Sequence, residues 1–310
     1  MKVFVPGHKG LVGSAVLRKK PTTIEVITRE RSELDLTDYK SMLRFFQEEK
    51  FDGFILCAAR VGGIGANSKH QRAFLTENLN IQNSVISAAA DAGVANGIFL
   101  GSACIYPKIT EQPIPETALL TGMLEPSNEG YAIAKIAGLR LIKAISDETG
   151  LNYKSLMPTN LYGPGDNFDV FSSHVAAALM RKFHEAKLNG NSYVSVWGSG
   201  TPRREFMHVD DMAEACWFML PKGDGGEIFN VGTGKDMAIS TYAELMSKVV
   251  GFEGEIKFET EKLDGTPKRL LDVSKIHSKG WEHKIDIELG LQKTYSWFEN
   301  AYMKGAIRGF

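Results

Sequence analysis

No apolar run in this sequence approaches the roughly 18 residues of a membrane span. Its opening, MKVFVPGHKG, has only three apolar residues between Lys2 and Pro6, too few for the core of a signal peptide. Cysteine is scarce: Cys57, Cys104 and Cys216 are widely spaced and odd in number, which argues against a disulfide framework or a paired-cysteine metal site. Neither sign of charge is in excess, and a formal net charge of -1 leaves no electrostatic footprint for nucleic acid or an anionic membrane. Internal repeats and low-complexity tracts are missing too. The expectation is a cytoplasmic protein with reduced thiols, whose partners have to be read from its sites.

What the chain has is alternation. In its first half, short apolar runs (KVFV, IEVIT, GFILCAA, GIFLGSA) are separated by amphipathic stretches such as YKSMLRFFQEE. Strands apolar throughout and separated by helices predict a doubly wound parallel α/β sheet covered on both faces. A long helix, YAIAKIAGLRLIKAISDETG, is predicted to stop at Gly150, and a further strand, YKSLMPTNLYG, leads into GPGDNFD, where the first domain should end. The expected division is residues 1–163 as a Rossmann domain, with a return segment at about 205–232, and residues 164–310 mainly as a smaller, mixed α/β domain.

GHKGLVG places Gly7, Gly10 and Gly13 between the first strand and the first helix. Gly7 permits the tight turn, Gly10 lets a pyrophosphate approach the backbone, and Gly13 lets helix and strand pack closely, with the helix N-terminus favouring the anion. The second strand runs into Thr28, Arg29, Glu30 and Arg31, so its end offers two guanidiniums suited to a ribose 2′-phosphate, and the cofactor expected is NADP(H). Glu30 keeps NAD open, and Asp35 is a candidate for an adenine contact. Tyr131 and Lys135 stand four apart on a predicted helix, where the ammonium would sit beside the phenol and favour its anion. Ser102 and Cys104 follow a strand. If residues 101–105 continue extended, both point to the same side, at the C-terminal edge where open α/β sheets bind ligands. The residues alone leave Cys104 as a packed thiol, a metal ligand, a nucleophile or a proton-transfer group.

The glycine motif, the serine and Tyr-x-x-x-Lys together resemble the extended short-chain dehydrogenase/reductase family. GHKGLVGSA, AARVGGIGAN, GSACIYPK, EPSNEGYAIAKIAG, MPTNLYGPGDNF, SSHV, RKFHEA, VWGSGTPRREFMHVDDMA, FNVGTG and DGTPKRLLDV narrow the resemblance, over nearly the whole chain, to the GDP-L-fucose synthase family. That resemblance implies NADPH-dependent 3,5-epimerisation and 4-reduction of GDP-4-keto-6-deoxy-D-mannose. It implies Cys104 and His174 as the proton-transfer pair, whose reference pKa values of about 8.5 and 6.5 bracket neutrality. It gives Tyr131 as the proton donor for hydride reduction at C4, Ser102 as its partner on the C4 oxygen, and Lys135 on the cofactor ribose. Further implied cofactor contacts are Leu11, Val12, Arg31, Asp35, Leu36, Leu100, Gly101, Ser102, Pro158, Asn160, Leu161 and His174. Lys182, Trp197, Arg204 and Asp264 would hold the GDP-sugar, Lys182 standing where relatives often have Arg, and Ala103 where they have Ser. Relatives commonly dimerise through paired helices, here about 71–91 and 131–149, and Phe171 would belong to a loop over the sugar.

Other readings stay in view. Another nucleotide-sugar epimerase, dehydratase or reductase of the same scaffold is the nearest alternative, though dehydratases carry an acidic pair where this chain has Ala103 and Cys104. A cofactor-sensing module without catalysis is the alternative from another class, and intact Ser102, Tyr131 and Lys135 argue against it. Cys57 and Cys216 read as core thiols. His208 beside Asp210 and Asp211 reads as structural, and no metal is expected.

Overall fold

The computed structural model describes residues 1–169, 172–262 and 264–308. The first part of the chain runs β1 (Lys2–Phe4), α1 (Leu11–Arg18), β2 (Glu25–Ile27), α2 (Tyr39–Glu49), β3 (Gly53–Leu56), α3 (Ile64–Lys69), α4 (Gln71–Asp91), β4 (Asn96–Leu100), α5 (Glu129–Thr149) and β5 (Asn152–Pro158). It continues through β6 (Asn160–Tyr162), α6 (Val175–Leu188), β7 (Tyr193–Trp197), β8 (Arg203–His208), α7 (Val209–Met219), β9 (Ile228–Val231), β10 (Asp236–Ala238) and α8 (Ile239–Val250). The remainder is β11 (Glu255–Glu259), β12 (Lys268–Arg269), α9 (Ser274–Ser278) and α10 (Ile287–Met303).

Six strands form one parallel sheet in the order β2-β1-β3-β4-β5-β9. Its strands are apolar on both faces because both are covered: every residue of β3 is buried, and α4 packs against α2 and α5 while α1 packs against α7. Burying Phe54, Ile55 and Leu56 here contributes about 1.5–3 kcal/mol each relative to exposure. Gly150 ends α5 at a φ of 74°, a left-handed cap that only glycine adopts without strain. The strand order reverses direction between β1 and β3, which opens a crevice at the strand C-termini, where such sheets bind ligands.

The single strand expected over YKSLMPTNLYG is divided. β5 stays in the main sheet and β6 pairs instead with β8, the chain crossing between sheets at Thr159, whose N–H donates to Val231 O while its hydroxyl donates to Glu205 O at 3.1 Å. β8 gathers β6, β10 and β12 into the second sheet, β7 pairs in parallel with β11, and a second apolar cluster forms around Phe168, Phe183, Tyr242 and Phe298. The chain rejoins the first core twice: through α7 and β9, and again through Leu271, Val273, Ile276 and Trp281. Buried Glu205 ties these returns together, its carboxylate accepting from the N–H groups of Thr233, Gly234 and Leu271. Among the described residues no helix is long and apolar enough to cross a membrane. Phe171 lies outside the described residues.

Candidate active site

The glycine loop has the shape that a dinucleotide cradle requires. Gly7 has a φ of +84°, and a Cβ there would run into the backbone of Cys57 and Ala58; a Cβ on Gly13 would run into the Gly7 carbonyl. A Cβ on Gly10 would meet protein only at Gly7 O, 3.3 Å away, and Arg308 Nη1, 4.0 Å away, so this glycine keeps space open over the start of α1. Gly10 caps α1 without a side-chain hydrogen bond, which leaves the first-turn N–H groups, with Leu11 and Val12 in that turn, to an incoming anion.

At the end of β2 the two guanidiniums differ. Arg29 is occupied, donating to Glu49 Oε1 at 2.8 Å and to Thr28 O, with its guanidinium over the Phe45 ring, so its charge is already engaged. Arg31 is exposed and makes no ion pair among the described residues. Glu30, the residue that kept NAD open, is held by Lys9 Nζ at 2.7 Å and His8 Nε2 at 3.3 Å, and Lys9 pulls its carboxyl below the usual range. Asp35 accepts from both the N–H and the hydroxyl of Thr37 on one oxygen, so it also shapes the turn that carries Leu36, which packs against the core. A free arginine beside a glycine cradle fits a 2′-phosphorylated dinucleotide.

Residues 101–105 do not continue extended. Ala103–Ile105 form a 3-10 turn capped by Ser102, whose hydroxyl accepts from the Cys104 N–H at 3.3 Å. The capping propensity of serine outweighs the strand here, and the same-side argument from period two fails. Convergence arises differently: both Ser102 and Cys104 act on the Tyr131 phenol. Burial pushes the phenol above its ordinary value, a Cys104 thiolate pushes it further, and a Ser102 hydrogen bond opposes them. Tyr131 therefore carries its proton at neutral pH. Lys135 does not favour the anion as expected, because its Nζ donates to Leu100 O at 2.8 Å and lies 5.8 Å from the Tyr131 ring centroid; burial brings its ammonium down to about 8. Cys57 is partly exposed at the edge of the core rather than fully buried, though burial raises its thiol to about 12; Cys216 is buried.

His174 caps α6 with no side-chain hydrogen bond to the helix. Its ring is open to solvent, yet the mass of surrounding protein pushes its imidazole below the ordinary value. The adjoining Ser172 O accepts from Gly63 N–H at 2.9 Å, and a Cβ on Gly62 would touch Phe74, whose ring lies edge-on to Tyr131 with centroids 6.3 Å apart. A chain of contacts thus joins the His174 segment to Tyr131. Pro158, Asn160 and Leu161 line the crossing between sheets, Asn160 donating to Glu205 O at 2.9 Å; Gly101 follows β4 and donates to Leu156 O.

Of the expected substrate residues, Arg204 and Asp264 come together. Burial and the neighbouring Arg269 push Arg204 below its usual value while Asp264 opposes them, and Asp264 itself accepts from the Ser199 N–H and hydroxyl. Two crowded guanidiniums facing one engaged carboxylate leave an excess of positive charge, which suits a diphosphate. Trp197 is 63% exposed, two residues before Ser199, with Lys262 over its ring. Lys182 donates from its Nζ to Ser195 O at 3.1 Å. Sequence reasoning missed Arg269, whose Nη1 donates to Ala103 O at 2.7 Å beside Cys104; nothing but the cation in PKRLLD signalled it. His208 caps α7 by accepting from the Asp210 N–H, Asp210 pairs with Arg18, and Asp211 accepts from the N–H groups of Lys284 and Ile285. These three residues are engaged structurally. Among the described residues no group of three or more His, Cys, Asp or Glu side chains is placed to hold a metal.

Residues 3–232 match the NAD dependent epimerase/dehydratase family. The chain is 51% identical to GDP-L-fucose synthase 1 of Arabidopsis thaliana, over 96% of this chain and 93% of that one. A solved GDP-6-OMe-4-keto-L-xylo-heptose reductase from C. jejuni superposes with a TM-score of 0.91 at 34% identity, covering 96% of this chain and 97% of that one. A GDP-L-fucose synthetase from Naegleria fowleri, solved with NADP bound, has a TM-score of 0.87 at 27% identity over 98% of this chain and 96% of that one.

Proposed function

The chain belongs to the NAD-dependent epimerase/dehydratase family, and from that premise we propose that it converts GDP-4-keto-6-deoxy-D-mannose to GDP-L-fucose, inverting C3 and C5 and then reducing C4 with NADPH. The observation that carries the reading is that the turn capped by Ser102 presents Cys104 close enough to the half-buried Tyr131 phenol for both groups to act on it. A plain reductase needs the serine and the phenol. The thiol adds a proton-transfer group beside a carbonyl whose two neighbouring carbons are acidic.

In this reading, Cys104 and His174 remove and return the protons at C3 and C5 on opposite faces, through enediolates. His174, pushed down by its surroundings, is a stronger acid than an ordinary imidazolium whenever it is protonated. Tyr131 and Ser102 hydrogen-bond the C4 oxygen and stabilise each enediolate as charge gathers there. Bound NADPH supplies the hydride that C4 receives. Tyr131 then gives its phenolic proton to the C4 oxygen, and Lys135 orients the ribose. Arg204, Arg269, Lys182, Trp197 and Asp264 hold the GDP moiety and the sugar. The protein works in the cytoplasm as a homodimer paired through α4 and α5, where Ile133 is 43% exposed. Incubation with NADPH and the keto sugar should oxidise NADPH and yield GDP-L-fucose; no oxidation with that sugar would refute the assignment.

A further inference from the structure

The cradle around the glycine loop has a lining group from the far end of the chain. Beyond α10 the backbone turns back along the segment that follows β6: Phe168 donates its N–H to Arg308 O at 2.9 Å, and Asn167 and Arg308 form a parallel bridge. This pairing brings the Arg308 guanidinium to the loop, with Nη1 4.0 Å from where a Cβ on Gly10 would stand. The middle glycine of such a motif is the one whose missing side chain admits the pyrophosphate, so the guanidinium borders the space that group needs.

Its charge is available. The Arg308 side chain is exposed and makes no hydrogen bond or ion pair among the described residues. The loop's own cation, Lys9, is paired with Glu30. The acid whose charge Arg308 feels is Asp166, a buried carboxyl raised to about 7 by burial, which Arg308 partly opposes; one of its oxygens accepts from the Asn167 N–H. A forked guanidinium matches phosphate oxygens, and the start of α1 contributes N–H donors and the positive end of the helix dipole to the same anion.

We propose that Arg308 binds the pyrophosphate of the dinucleotide, so that the C-terminal segment completes a cofactor site begun by the N-terminal glycine loop. The proposal rests on the NADP(H) reading of that loop. Its test is equilibrium binding by the full chain of two probes, NADPH and adenosine 2′-monophosphate, which has the adenine and 2′-phosphate but no pyrophosphate. Arg308→Gln should weaken NADPH about tenfold and leave the monophosphate unchanged, as expected for loss of a charge-assisted contact. Arg308→Lys, which keeps the charge without the fork, should fall between and also serves if the glutamine variant fails to fold. Unchanged NADPH affinity would overturn the proposal, and so would equal weakening of both probes, which would place the effect at the adenosine end or in the fold. Failure of the unsubstituted chain to bind NADPH would overturn the cofactor reading itself.

Discussion

Arg269 on β12 donates from Nη1 to the carbonyl of Ala103 at 2.7 Å, so a residue of the second sheet holds the turn that presents Cys104. The same guanidinium acts electrostatically on Arg204, lowering it, so in the proposed reading its charge also bears on the GDP-sugar. Arg269→Met should therefore raise KM for the GDP-sugar and slow solvent exchange at C3 and C5 about tenfold. Arg269→Lys should recover most of KM and less of the exchange rate. Exchange unaltered in Arg269→Met would remove Arg269 from the positioning of Cys104.

Cys104→Ser keeps the turn and replaces the thiol with a far weaker acid. Loss of deuterium exchange at one or both of C3 and C5 is expected, in the range of 10²–10⁴-fold for removal of a general acid or base. Unimpaired exchange at both carbons would refute an acid/base thiol.

Tyr131→Phe removes the proton given to the C4 oxygen and one of the two groups that hydrogen-bond it. NADPH oxidation should suffer more than proton exchange, since Ser102 remains to support the enediolate. Equal and slight effects on the two steps would rule out Tyr131 as donor.

His208 should contribute an acid-sensitive part of stability. It is 1% exposed, and burial, only partly offset by Asp210, lowers its imidazole to about 4. Above pH 6.5 it is neutral in both folded and unfolded chains. As pH falls from about 6.5 to about 4, the unfolded chain takes up a proton that the folded one refuses, costing up to about 3 kcal/mol before the loss levels off. His208→Asn keeps an acceptor for the Asp210 N–H. Denaturant midpoints measured across that range should fall less steeply in the variant; parallel curves would contradict the assignment.

Glu205→Ala would leave three backbone N–H groups without their acceptor in a buried position, at a cost of about 3 kcal/mol or more. A melting temperature unchanged from the parent would show that the carboxylate is not what joins the two returns of the chain.

Local pattern made much of this legible. Apolar strands between amphipathic helices imply the parallel sheet, and Gly7, Gly10 and Gly13 sit where their spacing puts them. Contacts between residues far apart in sequence were beyond reach. Arg29 and Arg31 are equivalent as letters, and only the fold shows Arg29 taken by Glu49. Period two suggested one face for Ser102 and Cys104, but a serine cap turned the strand into a 3-10 helix. Arg269 and Arg308 reach the site from strand pairings late in the chain that no periodicity announces.

The most direct measurement is the isotope pattern of the product made in D2O with unlabelled NADPH and GDP-4-keto-6-deoxy-D-mannose. GDP-L-fucose with deuterium at C3 and C5 and protium from the cofactor at C4 is the predicted result. A reduced sugar without deuterium at either C3 or C5 would make the protein a plain 4-reductase and contradict the epimerase role of Cys104 and His174.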